Sequence, residues 1–239
     1  MPKFAVIVAA AGRSSRFGRP DEKKPFVMLA GRPVWQHSVE RFRARADVGR
    51  IVMVVAEEDR EMVEERFGPN LLFCNVELAI GGGERAESVA RGLAAIDRSH
   101  DFVAVHDAAR PCVSDQAIER CFDQAIRVGA AILATKVTST VKRRAADGTI
   151  RETVDRSDLW LAQTPQVARR EWLAEALAQI DPNASPTDEA GALERIGRPV
   201  AIVEDGPENL KLTTAADLRI AKALLGERKS GGLADLLGD

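Results

Sequence analysis

The sequence predicts an α/β domain built on a mostly parallel twisted sheet with helices on both faces. Three observations predict it. Short runs rich in Val and Ile recur along the chain, segments with a helical spacing of apolar residues fall between them, and 239 residues are enough for one such domain with a proper core.

Phe4-Ala-Val-Ile-Val8 is a continuous apolar run too short for a helix, as expected of a strand buried on both faces. Ile51–Val55, Phe102–Val105 and Ala130–Ala134 share that character, and Val200–Val203 is a fifth candidate. Helical patterns alternate with them. Pro33 opens one that carries Val34, Val39 and Phe42. Ala86–Ile96 carries Val89, Leu93 and Ile96, and Ser114 can cap a helix bearing Ile118, Phe122 and Ile126. Arg169–Ile180 carries Trp172, Leu173, Leu177 and Ile180. Thr214 with Asp217 resembles a capping box ahead of Leu218 and Leu224-Leu225. In sheets of this kind ligands sit beyond the carboxyl ends of the strands, so the loops after the strands are the places to look for chemistry.

One segment breaks the alternation. Residues 136–144 and 149–155 flank an Asp147-Gly148 turn signal and are rich in Thr, Val and charge. They predict a hairpin arm, about residues 136–158, projecting from a single domain that spans 1–229. A lone two-stranded hairpin is marginal in water, so the arm either packs on a second subunit or is an ordinary surface excursion. Residues 230–239, with Ser230-Gly231-Gly232, read as a flexible tail.

Composition excludes several classes. The net charge of −2, from 34 basic and 36 acidic side chains, gives no global attraction to nucleic acid or to an anionic membrane. No stretch approaches the roughly 18 apolar residues of a spanning helix. The apolar run Phe4–Gly12 after Lys3 mimics the start of a signal peptide, but Arg13 and Arg16 follow at once, so export is not expected. The three cysteines, Cys74, Cys112 and Cys121, form no Cys-x-x-Cys pair and read as reduced thiols of a cytoplasmic protein.

The loop Ala9-Ala10-Ala11-Gly12-Arg13-Ser14-Ser15-Arg16-Phe17-Gly18 directly follows the first strand. Its small residues would let backbone N–H groups approach a phosphate, and Arg13 and Arg16 add charge; a tight turn is the equal alternative. It is neither a Walker A loop nor Gly-x-Gly-x-x-Gly. Lys23-Lys24-Pro25 is either a solvated basic turn or a source of charge for a phosphorus centre. Gly81-Gly82-Gly83, ahead of a helix start at Glu84-Arg85-Ala86-Glu87-Ser88, is a flexible loop or a set of amides and a hydroxyl that reads a base edge. His106-Asp107-Ala108-Ala109-Arg110-Pro111 ends a strand. There Asp107 suits Mg2+ and Arg110 an anionic substrate, unless the two simply pair, while His106 reads as a packed, satisfied imidazole. Thr140, Lys142, Arg143, Arg151 and Arg156 make the arm either a phosphate cradle or a charged, protected edge. A second lysine, Lys211, precedes the last helix in Glu208-Asn209-Leu210-Lys211.

Taken in order, Ala10-Ala11-Gly12 with Arg16, Lys24, Gly82–Ser88, His106–Pro111, Thr153-Val154-Asp155-Arg156, Thr164-Pro165-Gln166, Thr187-Asp188-Glu189-Ala190 and Asn209-Leu210-Lys211 resemble the 2-C-methyl-D-erythritol 4-phosphate cytidylyltransferases over about residues 3–225. The resemblance implies a glycosyltransferase-A-like nucleotidyltransferase fold and transfer of CMP from CTP to a small polyol phosphate, releasing pyrophosphate, with Mg2+ as cofactor. It implies a homodimer whose arms complete the partner's site. Ala10, Ala11, Gly12, Gly82, Gly83, Arg85 and Ser88 would then surround the cytidine. Arg16 and Lys24 would stabilise the transition state at the α-phosphate. Asp107 would lie near ribose and metal, Arg156 and Lys211 would position the polyol phosphate with Thr140 beside it, Arg156 acting across the dimer, and Ala108 and Arg110 would also bind substrate. Three positions depart from the family: Ser14 stands where a second glycine is usual, Ser139 where an aspartate precedes Thr140, and Pro25 follows the lysine. The rival readings are a D-ribitol 5-phosphate cytidylyltransferase and a nucleotide-binding regulatory module without turnover.

Overall fold

The structure, a computed structural model, describes residues 2–12, 23–181 and 186–234. Seven strands form one sheet: β1 (Phe4–Ala9), β4 (Val48–Val55), β5 (Val76–Ile80), β6 (Phe102–Asp107), β7 (Ala130–Lys136), β10 (Trp160–Arg169) and β11 (Ala201–Glu204). Their order across the sheet is β11-β7-β10-β6-β1-β4-β5. β1 lies parallel to β4 and to β6, β4 to β5 and β11 to β7; only β10 runs antiparallel, between β6 and β7. A short hairpin of β2 (Met28–Leu29) and β3 (Arg32–Pro33) stands apart from this sheet. The helices are α1 (Val34–Arg43), α2 (Arg60–Cys74), α3 (Arg85–Ala94), α4 (Asp115–Val128), α5 (Arg170–Ala178), α6 (Glu189–Arg195) and α7 (Ala215–Ala234).

Side-chain alternation along β1, beside the central strand, divides the interior in two. Phe4, Val6 and Val8 point to one face, where α1, α2 and α4 supply Trp35, Phe42, Phe67, Ile118 and Phe122. The Phe4 ring stacks on Phe122 at 4.0 Å and on Phe102 at 5.3 Å. Ala5 and Ile7 point to the other face, against Val89 and Leu93 of α3, Leu173 of α5 and Leu193 of α6. α3 lies so close to the sheet that a Cβ on Gly92 would meet Val54 at 2.8 Å and Ile7 at 2.9 Å. Each of these fully buried aliphatic and aromatic side chains contributes about 1.5–3 kcal/mol by leaving water, and that two-sided burial holds the sheet in place. A third apolar cluster, of Val27, Leu29, Val34, Ala109, Cys112, Leu212, Ala221 and Leu225, ties α7 and the segment before it to the strand ends.

All five expected strands and all five expected helices are present, and the mostly parallel sheet has helices on both faces. Besides the short β2-β3 hairpin, four elements were not expected: α2, β5, β10 and α6. The arm exists as a separate two-stranded sheet of β8 (Val141–Arg144) and β9 (Ile150–Val154), and Gly148, at φ 95°, serves its turn. It begins later than expected. Lys136 closes β7, where it pairs with Trp160 of β10. Val141 and Val154 are half-buried and the other arm strand residues are exposed. At the C-terminus, α7 continues through Ser230-Gly231-Gly232 to Ala234, so the helix enters the segment read as a tail. Glycine weakens a helix by roughly 1 kcal/mol per residue without forbidding it. Residues 235–239 lie outside the described residues.

Candidate active site

The loops that follow β1, β5 and β6 leave the sheet at its carboxyl edge and touch one another. Ala108 N–H donates to the Ala9 carbonyl (3.1 Å), which joins the end of β6 to that of β1. A Cβ on Gly81 would lie 2.8 Å from the Ala11 Cβ and 2.8 Å from the Ser88 Oγ, so the first loop and the glycine loop are in contact. The segment before α7 is stitched to the same edge. Leu212 N–H donates to the Ala109 carbonyl (2.8 Å), and Arg110 Nη1 to the Asn209 carbonyl (2.7 Å). Asn209 Nδ2 donates in turn to the Thr164 carbonyl (2.9 Å).

His106 fixes the end of β6. Its Nε2 lies 3.2 Å from the Arg110 carbonyl, which can only accept, so that nitrogen carries the proton. Nδ1 then accepts from the Thr164 hydroxyl (3.1 Å), which itself accepts from Asp107 N–H (3.0 Å). The imidazole is a packed structural group, as its place in the sequence suggests. Burial lowers its pKa to about 4, against the pull of neighbouring Asp107. Between the ordinary histidine value of 6.5 and this one, the unfolded chain binds a proton that the folded chain does not. Stability therefore falls as pH drops through that window, by up to roughly 3 kcal/mol from this group. His106→Gln should flatten the loss: urea midpoints at pH 7 and pH 4.5 should differ less in the variant than in the wild type.

Asp107 is the centre of the site. It is buried and faces three cations: Arg85 Nη1 at 2.7 Å on Oδ1, and Lys211 Nζ at 2.9 Å and Arg110 Nε at 3.4 Å on Oδ2. Burial alone would push its carboxyl up; Arg85, then Lys211 and Arg110, outweigh that and hold it well below the usual carboxylate range. Arg85 is not pointed at open space. Its Nε and Nη2 form a fork on Glu189 (3.1 and 2.9 Å), so all three of its nitrogens are engaged by carboxylates. Burial pushes the Glu189 carboxyl up, and Arg85 pulls against it. Glu189, the first residue of α6, belongs to this cluster although nothing in the sequence assigned it chemistry.

The expected site residues divide into groups. Asp107, Ala108, Arg110, Arg85 and Lys211 come together. Ala10, Ala11, Gly12, Gly82, Gly83 and Ser88 form the adjoining wall, but four of its N–H groups already have acceptors, Ser88 N–H on the Glu84 carbonyl (3.0 Å) among them. Ala10 N–H donates to the Val54 carbonyl (2.8 Å), Gly82 N–H to Ser88 Oγ (3.1 Å) and Gly83 N–H to Glu87 Oε2 (2.8 Å). Ser88 is buried and also donates to the Glu84 carbonyl. Lys23 is committed to Glu58 (3.0 Å) and Asp59 (2.6 Å) after β4, whereas Lys24 opens the 3-10 turn Lys24–Phe26, which leads into the apolar cluster shared with Ala109 and Leu212. Thr140 and Arg156 are exposed on the arm, where Arg156 donates to the Thr138 carbonyl, and do not join the cluster within one chain. Arg16, Arg13 and Ser14 lie outside the described residues.

The described residues do not build a metal cage. No group of three or more His, Cys, Asp and Glu side chains among them could hold an ion, and Asp107 could meet one only by giving up part of its three-cation shell. Two hollows, of about 440 Å³ beside α6 and about 300 Å³ beneath α1, are lined by neither Lys24, Asp107 nor Lys211. The cluster sits instead at the strand-end rim, beside the first loop. Among the described residues no helix is long and apolar enough to cross a membrane.

Residues 4–227 match the family described as 2-C-methyl-D-erythritol 4-phosphate cytidylyltransferase. The chain belongs to this family. It is 40% identical over 237 residues to the cytidylyltransferase of that name from Rhodopirellula baltica, covering 95% of this chain and 96% of the relative. It is 41% identical to the one from Pelotomaculum thermopropionicum over the full length of both. Among solved structures, a 4-diphosphocytidyl-2C-methyl-D-erythritol synthase superposes with a TM-score of 0.77 at 33% identity, covering 94% of this chain and 99% of the other. The cytidylyltransferase from Thermus thermophilus superposes with a TM-score of 0.75 at 29% identity, covering 94% and 98%. The nucleotidyltransferase fold expected from the sequence is the fold observed.

Proposed function

We propose that the protein transfers a cytidylyl group from CTP to 2-C-methyl-D-erythritol 4-phosphate, for isoprenoid precursor synthesis, at the rim around Asp107. The observation that carries this reading is the cluster itself. In a chain of this family, one buried carboxylate gathers Arg85, Arg110 and Lys211 at the carboxyl end of β6, beside the loop after β1. The phosphate oxygen of the polyol is already an anionic nucleophile and needs no general base. It attacks the α-phosphorus in line, a new P–O bond forms, and the bond to pyrophosphate breaks. The chain's task is to position two anions and to offset the charge that builds on the phosphorus oxygens. Lys24, with Arg16, serves the α-phosphate. Ala10–Gly12 and Gly82–Ser88 enclose the cytidine, with the acceptors now on Gly82 and Gly83 N–H moving aside for the base. Arg110 and Lys211 face the polyol phosphate. Magnesium, in this reading, is held mainly by the phosphates of CTP, with Asp107 the carboxylate nearest to it. CTP labelled at the α-phosphorus tests the reaction: the label should appear in the polyol product and none in pyrophosphate.

The arm supports a dimer in the same reading. Its strands are almost wholly exposed, and Ile150, Leu159 and Leu161 on or next to it leave 66%, 38% and 57% of their surface in water. A second copy of the chain would cover that surface and bring Arg156 and Thr140 to the neighbouring site. Arg156→Ala should then raise KM for the polyol phosphate about tenfold or more while changing KM for CTP little, as expected for losing one charged contact. Mixing Arg156→Ala with Lys24→Ala subunits should restore activity, because one site of each mixed dimer is whole. Equal effects on both substrates, or no restoration, would count against the arm. The three buried free thiols, Cys74, Cys112 and Cys121, fit a reducing compartment such as the cytoplasm.

A further inference from the structure

We propose that Glu189 is a positioning residue for the transfer: by occupying two of the three nitrogens of Arg85, it confines Arg85 to one oxygen of Asp107 and leaves the other for Lys211. This rests on the reading of Asp107 and Lys211 as substrate-side groups. A guanidinium facing a single buried carboxylate often takes both its oxygens in a paired fork. Here the fork falls on Glu189, through Nε at 3.1 Å and Nη2 at 2.9 Å, and only Nη1 reaches Asp107, at Oδ1. Oδ2 is thereby available to the Lys211 ammonium at 2.9 Å, which shares it with the more distant Arg110 Nε at 3.4 Å.

Glu189 is held firmly enough to set this division. It is 4% exposed, and the residues on either side of it are tied to the sheet. Asp188 Oδ1 accepts from Gly191 N–H (2.9 Å) and its Oδ2 from Gln166 Nε2 (3.0 Å), while Gln166 Oε1 accepts from Ala190 N–H (2.9 Å). Gln166 lies on β10, paired with Val105 of β6, two residues before Asp107. Both carboxylates that share Arg85 are therefore anchored to one rigid frame. The pair is not the only hold on α6, which is also fixed by the Asp188 cap, the Ala190–Gln166 bond and the buried Leu193. Without the Glu189 charge, Arg85 turns its fork onto Asp107 and Lys211 loses its anchor.

Glu189→Gln, which keeps the side-chain shape, tests the idea alongside Lys211→Ala and the double variant. We expect Glu189→Gln to lower kcat/KM by about tenfold to a hundredfold, as a misplaced group does. In the Lys211→Ala background the same change should cost less than about threefold, because the two act through one chain of contacts. Arg85→Lys, which can hold only one of the two carboxylates, should reproduce the defect and stands in if Glu189→Gln does not fold. A folded Glu189→Gln or Arg85→Lys enzyme with wild-type kcat/KM, or a full multiplicative loss in the double variant, overturns the inference while leaving the site reading intact. Wild-type activity in Lys211→Ala overturns the site reading and the inference with it.

Discussion

Lys24→Ala should lower kcat by about a hundredfold or more, while KM for CTP changes far less. The size follows from removing one preorganised charge donor at a reacting centre, about 2.7–4 kcal/mol of transition-state stabilisation. The selectivity for kcat follows from when the charge appears. In the ground state the triphosphate has other cations, whereas at the five-coordinate phosphorus the negative charge on the equatorial oxygens grows and an ammonium held beside them gains most. Lys24 suits this because its turn is anchored: Pro25 and Phe26 are buried, and Phe26 N–H closes the turn on the Lys23 carbonyl (2.9 Å). Lys23 is the built-in control. Its ammonium is occupied by the buried Asp59 and by Glu58, contacts that do not change as a transition state forms, so Lys23→Ala should leave kcat within about threefold of wild type. Steady-state kinetics with both substrates varied distinguishes the two lysines, and near-wild-type turnover in Lys24→Ala would refute its assignment.

Asp107→Asn has the second large effect, on stability and activity together. The carboxylate is 7% exposed at its side chain and compensates Arg85, Arg110 and Lys211 at once. Removing its charge leaves the buried Arg110 without its carboxylate and the half-exposed Lys211 without its anchor, while Arg85 keeps Glu189; breaking such a buried pair costs about 3–5 kcal/mol of the roughly 5–15 kcal/mol that keeps a domain folded. The pH dependence has a defined sign. A carboxyl whose folded pKa is depressed contributes its stability above the unfolded value and loses it only as pH falls through the folded one. Since Asp107 stays ionised well below the ordinary range, the wild-type advantage over Asp107→Asn should be constant from pH 5 to pH 8. Urea unfolding at several pH values reads this, and an advantage that fades between pH 7 and 5 would contradict the three-cation shell.

What the sequence disclosed, and what it withheld, follows from the range of the interactions involved. β1, β4, β6 and β7 were legible because strands buried on both faces read as unbroken apolar runs. β5 was not: Val76-Glu77-Leu78-Ala79-Ile80 is an edge strand with one buried residue. α2 was hidden by Gly68-Pro69 in its interior, a pair that reads as a turn. β10 was hidden by Pro165, which has no N–H for a ladder and sits where the pairing with β7 slips between Ala162 and Gln166. The site was legible where chemistry coincides with a strand end, as in His106-Asp107, and at Lys211. Arg85 was placed on the nucleotide side, but its partner Glu189 is 104 residues away and could be found only in three dimensions. The Asp188 cap of α6 is the one local signal nearby, and it marks a helix start without naming what the next carboxylate meets.

The most direct measurement of the central claim is pyrophosphate release with CTP and either 2-C-methyl-D-erythritol 4-phosphate or D-ribitol 5-phosphate, with ATP, GTP and UTP as controls. Rapid release with CTP and the methylerythritol phosphate, falling steeply for the ribitol phosphate and for every other nucleotide, is the expected result. Equal or faster release with the ribitol phosphate, or no release with any polyol phosphate, would contradict it.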